Sequence, residues 1–420
     1  MRAFIAILAL SAALVGCASK PIGSPAQASG ISAGRRVAPS RLQILLNEAV
    51  SSGVPGISVA VATRDGVVWT GVAGKADLQT GAPVSSEMLF GMGSITKTFV
   101  AVVILQLAEE GRLDLKATAA SLLGAAVEGI PNADRATMAQ LLNHTGGVPS
   151  WEDDPAWIHD GRGARLDVAR IWGKHDTLNY IKGHAPLAAP GEKCSYANTD
   201  YTLLGMIIEK VTGEEAVNEI HRRILTPLGL KDIYLEGFEP VPKNRLPHRY
   251  HWATPDFRRN AGVNAAFPEV RPGLIDASRS NLSVEWTAGG MVATARDLAL
   301  YGVALRDGRL LKPQSMKFMM EWFPLADWFP VAEWFPGAVR AQIGHNLFRV
   351  EYPGGLTIIG HGGDVLGFTG SLYWVEGGDA VVAVLCNVGA MHSGKVPGVA
   401  YSVGENRPFI EQAIRVAANE

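Results

Sequence analysis

The tetrapeptide Ser94-Ile95-Thr96-Lys97 sets a hydroxyl and an amine three residues apart. The run after it, from Phe99 to Leu107, is apolar and predicts a buried helix that stops at Gly111. Residues i and i+3 share a helix face, so the two groups meet. A cation in a first helical turn opposes the partial positive charge there. Ser94 alone has an ordinary explanation as an N-cap; Lys97 does not. A lysine desolvated at the positive end of a helix loses its proton more readily. A neutral amine beside a hydroxyl is a general base beside a nucleophile. The pair by itself is a weak signal, because a chain of this composition shows about one Ser-x-x-Lys by chance.

Two further stretches carry groups of the right kind. Tyr196-Ala197-Asn198 follows the turn-forming Pro190–Cys194 and opens a helical run. A tyrosine near a lysine gives up its proton more easily and can shuttle it, and Asn198 offers both a donor and an acceptor. The plain alternative is a turn in which Asn198 or Thr199 caps the helix. His361-Gly362-Gly363 ends a strand-like run, and glycines there let a substrate backbone approach closely. His-x-Gly also occurs at His144, His159 and His392, but only His361 ends a late strand after the other two stretches. His248 and His251 lie in a stretch rich in Pro and Arg, without the spacing of metal ligands, so neither metal nor organic cofactor is expected.

These groups need a scaffold. Residues 40–53 have helical spacing, with Leu42, Leu45, Leu46 and Val50 on one face and Gly53 as a stop. Residues 56–74 read as two strands joined at Asp65-Gly66, a hairpin signal. From about 115 to 235 the pattern is mostly helical, and 236–285 reads as irregular. Residues 293–308 return to helix. Short strands follow after 340, separated by turns at Pro353-Gly354 and Gly377-Gly378, and a helix closes the chain. Strand-forming segments at both ends with helices between predict α/β plus all-α architecture: an antiparallel sheet flanked by helices and built from both chain ends, with an inserted helical domain. The expected boundaries are 40–114 with 288–420 for the α/β domain and 115–287 for the helical one. Trp-Phe-Pro recurs three times at six-residue spacing within 321–336. Its prolines exclude helix and central strand. It reads as an inserted loop packed on the body, as an apolar lip beside a pocket, or as a surface dipping into a membrane interface.

The chain has 420 residues, formal net charge −2 and no basic run, which excludes nucleic acid as an expected partner. Arg2 and the apolar Ala3–Val15 read as a signal peptide over 1–16. The sequence Leu14-Val15-Gly16-Cys17 resembles a bacterial lipobox, which predicts lipidation of Cys17 and a cell-envelope lipoprotein facing the periplasm. Residues 17–39, rich in Ser, Ala, Gly and Pro, read as a tether. Cys194 and Cys386 are expected to be free and buried. The oligomeric state is not legible.

Ser94-x-x-Lys97, Tyr196-Ala-Asn198 and His361-Gly-Gly363, in that order, resemble the serine β-lactamase and penicillin-binding group, most closely its class C β-lactamase-like branch. The wording of residues 141–149, 190–213 and 288–302 supports the resemblance. It implies a serine hydrolase that forms an acyl-enzyme on Ser94. Lys97 and Tyr196 would share the proton transfers, and Asn198, His361 and Gly363 would contact substrate. The backbone N–H groups of Ser94 and Asp364 would form the oxyanion hole, with the Asp364 carboxylate turned away. True class C enzymes carry Lys-Thr-Gly where this chain has His361-Gly362-Gly363, so a fixed cation for a substrate carboxylate is absent. The expectation is therefore an esterase or related acyl hydrolase on ester or amide substrates. A DD-carboxypeptidase or D-aminopeptidase-like peptidase, a weak β-lactamase, and a penicillin-binding sensor of slow turnover are the alternatives.

Overall fold

Asp65-Gly66 is where the chain first reverses on itself. In the computed structural model, which describes residues 39–325, 335–394, 396 and 409–418, helix α1 (Pro39–Ser51) leads through Gly53, at φ +114°, into strands β1 (Gly56–Thr63) and β2 (Gly66–Gly74). Helix α2 (Thr96–Glu109) follows a single 3-10 turn at Gly93–Ile95. Helix α3 (Asn198–Thr212) ends on Gly213 in the left-handed region, as a glycine terminus favours. Helix α4 (Ala295–Arg306) is capped by the Thr294 side chain. The remaining strands of the large sheet come late: β3 (Phe323–Pro324), β4 (Arg340–Ile343), β5 (Phe348–Glu351), β6 (Thr357–Val365), β7 (Phe368–Val375) and β8 (Val381–Cys386). Helix α5 (Phe409–Ala418) is the last element.

The sheet runs β2-β1-β8-β7-β6-β5-β4-β3, antiparallel at every junction. Its two halves join where β1 pairs with β8, Ile57 opposite Cys386 and Ala62 opposite Val381. Alternation along β1 serves two cores. Ile57, Val59 and Val61 face Leu42, Leu46 and Ala49 of α1 and Ile414 of α5. Ala60 and Ala62 face the opposite core, with α4 and the buried α2. Gly302 of α4 has no room for a side chain: a Cβ there would lie 2.7 Å from both Leu372 and Val381. That contact seats α4 directly on the sheet.

Residues 119–228 are a set of mostly short helices around α3. The stretch read as irregular holds more order than expected. Tyr250–Trp252, Glu269–Arg271 and Leu274–Asp276 are strands of a second, four-stranded sheet, completed by Val388–Gly389. Strands of three residues are too short to show a period of two, and Val388 comes from far along the chain. Cys194 and Cys386 are buried and unbridged. Of the Trp-Phe-Pro repeat, Phe323–Pro324 forms β3 at the sheet edge, where a proline costs no ladder bond. Residues 326–334, Cys17 and residues 1–38 lie outside the described residues.

Candidate active site

Four separate stretches meet in front of α2. Ser94 sits in the 3-10 turn, and no side-chain capping bond is made there, so the N-cap explanation of this serine falls away. Lys97 is fully buried one turn further on. Its Nζ makes three contacts: Ser94 Oγ at 2.8 Å, Asn198 Oδ1 at 2.6 Å and the Ala288 carbonyl at 2.6 Å. Burial pulls the amine down from its usual range to about 7, against the opposing pull of Glu152, Glu285 and Asp200. A neutral amine has two N–H donors and one lone pair. The carbonyl and amide oxygens accept the two donors, which leaves the lone pair for the Ser94 hydroxyl proton.

Asn198 is not a cap either. Helix α3 begins at Asn198 itself, after Ala197, without a side-chain capping bond. The preceding loop is stapled to this end: Asn198 N donates to Ser150 Oγ at 3.1 Å, Trp151 N to Thr199 Oγ1 at 3.1 Å, and Thr199 Oγ1 to the Pro149 carbonyl at 2.6 Å. The ring of Tyr196 lies 5.0 Å from Lys97 Nζ, and its hydroxyl is buried beside Ser94. His144, itself buried, packs on that ring at 4.2 Å. One expectation reverses here. Nearness to a lysine predicts a tyrosine that loses its proton easily, but burial drives Tyr196 well above the usual phenol range. The neighbouring Ser94 hydroxyl offsets this only in part. Of the two candidate bases, Lys97 is the one whose neutral, basic form is accessible near pH 7.

Strand β6 delivers the third stretch. A Cβ on Gly363 would lie 2.5 Å from Ser94 N and 2.3 Å from the Met92 carbonyl. A Cβ on Gly93, at φ +54°, would lie 2.7 Å from Asp364 N. Two glycines thus allow the Ser94 turn and the end of β6 to touch backbone to backbone, bringing the Ser94 and Asp364 amides to one place. The Asp364 carboxylate accepts from Ala390 N, at 3.1 and 3.0 Å through its two oxygens. It is spent on the loop after β8. His361 is fully buried, and burial together with Lys97 pushes it down to about 3, so it carries no charge near neutral pH. Its ring lies 5.0 Å from Phe348, which packs 5.3 Å from Phe335 at the end of the Trp-Phe-Pro segment.

Three residues escaped sequence reasoning. Glu152 accepts from Asn198 Nδ2 at 2.5 Å and from Arg162 Nη2 at 2.7 Å. The same Arg162 nitrogen reaches Glu285 Oε1 at 2.9 Å. All three are buried. A lone Glu-Asp-Asp run and an isolated Arg carry no signal of their own. The one available hint was that Glu152 falls three residues after Pro149, the end of a stretch, 141–149, that resembled the family.

Solved structures share this arrangement of elements. The D-stereospecific amidohydrolase from Streptomyces sp. superposes with a TM-score of 0.72 at 28% identity, covering 90% of this chain and 98% of that one. The D-amino acid amidase from Ochrobactrum anthropi SV3, complexed with L-phenylalanine amide, gives 0.71 at 27% identity over 84% and 92%. The fold is therefore the β-lactamase/transpeptidase one. Among curated proteins, Esterase EstB of Burkholderia gladioli is 27% identical over 237 residues, 55% of this chain and 59% of the esterase. Penicillin-binding protein 4 of Amycolatopsis lactamdurans is 32% identical over 178 residues, 42% and 44%. The chain thus spans about half the length of these curated relatives. The beta-lactamase family model matches residues 37–400, and the chain belongs to that family.

Proposed function

We propose that the protein is a serine acyl hydrolase that works through a covalent acyl-enzyme on Ser94, with esters or amides lacking a free carboxylate as its substrates. The observation that carries this is the buried Lys97 amine 2.8 Å from Ser94 Oγ, with its other two hydrogen-bonding directions occupied by acceptors. Ser94 Oγ attacks the substrate carbonyl carbon while its proton passes to Lys97 Nζ. The carbonyl oxygen gains the negative charge and faces the Ser94 and Asp364 amides. Collapse breaks the bond to the leaving group, which takes a proton handed on from Lys97 through the Tyr196 hydroxyl. A water then attacks the acyl carbon, returns its proton to the same pair and frees Ser94. Tyr196 acts as a neutral relay, because burial opposes its phenolate.

Substrate class follows from His361. A neutral imidazole offers no ion pair to a carboxylate, and the buried Phe348 and Phe335 pack behind it as apolar core. An esterase and D-stereospecific amidases stand among the similar proteins, which agrees with this preference. The test is a panel of p-nitrophenyl esters, D-amino acid amides, D-Ala-D-Ala peptides and a chromogenic cephalosporin. Ester or amide turnover is expected to exceed the other two, and Ser94→Ala to lose it by at least ~10³-fold, since nucleophile and base act as a unit. Equal turnover by both proteins would remove the proposal.

The reading of Cys17 as a lipid anchor in the cell envelope belongs to the same proposal and is supported by Leu14-Val15-Gly16-Cys17. Cys17→Ser should move the protein from the membrane fraction to the soluble one; unchanged fractionation would count against the anchor.

A further inference from the structure

We propose that Glu152 is a positioning residue: clamped by Arg162, it holds the Asn198 side-chain amide with the oxygen, not the nitrogen, facing Lys97. This rests on the proposed roles of Ser94 and Lys97 and adds a residue to them.

The chain of contacts is continuous and buried. Arg162 Nη2 donates to Glu152 Oε1 at 2.7 Å and to Glu285 Oε1 at 2.9 Å. Glu152 Oε2 accepts from Asn198 Nδ2 at 2.5 Å, and Asn198 Oδ1 accepts from Lys97 Nζ at 2.6 Å. Arg162 has no exposed surface, and the Glu152 and Glu285 side chains keep only 8% and 3% of theirs. An amide in such a place has two orientations differing by a half-turn, and its neighbours choose between them. An ionised carboxylate only accepts. The reversed amide would set its oxygen against the Glu152 carboxylate, a mismatch in either state of Lys97, and its N–H against Lys97, a second mismatch while the amine is an ammonium. Glu152 therefore decides the orientation.

The consequence falls on the lone pair of Lys97. With the oxygen facing it, neutral Lys97 donates to Asn198 and Ala288 and keeps its lone pair for the Ser94 proton. With the nitrogen facing it, Asn198 donates into that lone pair and the base is blocked. The other charged or titratable groups around the amine are Glu285 beside Ala288, Asp200 and the Tyr201 ring (5.8 Å) on α3, the Tyr196 ring (5.0 Å) before it, His144 and His361. Of these, Glu285, Asp200, His144 and His361 make no bond to the Asn198 amide among the described residues, and Glu152 is the carboxylate that does.

The experiment uses the full chain with Glu152→Gln and the double variant Glu152→Gln/Asn198→Asp. A glutamine keeps the shape and presents an N–H toward residue 198, which turns the Asn198 amide over. Glu152→Gln is expected to lower kcat/KM for a p-nitrophenyl ester at least ~10-fold and to move its acid limb to lower pH by about one unit, because a carboxylate is lost and a donor now faces the amine. In the double variant, the carboxylate introduced at position 198 accepts from both Lys97 and the amide introduced at position 152, and the limb should return to the wild-type position or above it. A Glu152 that acted on Lys97 by its charge alone would move the limb without the ~10-fold loss of kcat/KM above it. The same shift should appear in a 15N titration of the Lys97 amine, which needs no substrate and so separates failure of this inference from failure of the proposed activity. It also reads any variant whose turnover is too weak to measure, once its melting curve shows a folded protein. A limb and amine midpoint in Glu152→Gln equal to the wild type, or a double variant that does not move them back up, would overturn the assignment.

Discussion

At the scale of the residue, the proposed chemistry depends on removing a charge. Lys97 would be a poor base in water, where an amine of its type stays protonated well above neutrality. Burial brings it to about 7 while three hydrogen-bonding neighbours keep it in place. The sign for activity follows: below that pH the amine is an ammonium and cannot take the Ser94 proton. Turnover of an uncharged ester should therefore rise as pH passes through about 7 and then level off, which a kcat/KM profile from pH 5 to 9 would show. A profile flat across that range would contradict a lysine base. His361, held down at about 3, should add no limb of its own there. Tyr196→Phe should cut kcat by about 10²- to 10⁴-fold, the usual worth of a positioned proton carrier, while leaving the Lys97 limb where it is.

Elements matter where backbones touch. The proposed oxyanion donors come from a 3-10 turn and a strand end, and only glycine at 93 and 363 lets these meet. Gly363→Ala places a methyl group 2.5 Å from Ser94 N and 2.3 Å from the Met92 carbonyl, so the strand must withdraw. Loss of one oxyanion donor is worth a factor of about 10² to 10³ in kcat. That loss, read at saturating ester, is the expected outcome, with KM changed far less. Gly302→Ala presses a methyl group on Leu372 and Val381 at 2.7 Å, an overpacking that costs about 1–3 kcal/mol. A urea midpoint lower than wild type would register it. Helix α3 shows the converse, an element placed by its neighbours: the 149–152 loop is bonded to its first turn, and that is how Glu152 reaches Asn198.

Across the whole molecule, the sheet depends on pairing residues more than three hundred positions apart. Ile57 pairs with Cys386, and α5 covers the same face as α1. Helix α5 is thus a structural lid on the outer core. Ile414, 1% exposed, is its anchor. Ile414→Ala should cost about 2–5 kcal/mol, the usual range for emptying a buried Ile position, seen as a loss in the free energy of unfolding by denaturant.

The hairpin at Asp65-Gly66, helices α1 and α2, the late strands and the closing helix were legible because each depends on nearby residues: a turn dipeptide, an apolar period, a glycine stop. Lys97 stood out as a cation in a first helical turn, and Ser94, Tyr196 and His361 through the order of the three motifs that carry the family resemblance. The short strands at 250–276 and the group Glu152, Arg162 and Glu285 were not legible, since each gains its meaning from partners supplied by other stretches. Local sequence alone determined which side chains were present and which of the longer segments were helix or strand. Only the tertiary structure decided their protonation. The same burial lowers an amine and raises a phenol, and burial is a property of the packed molecule.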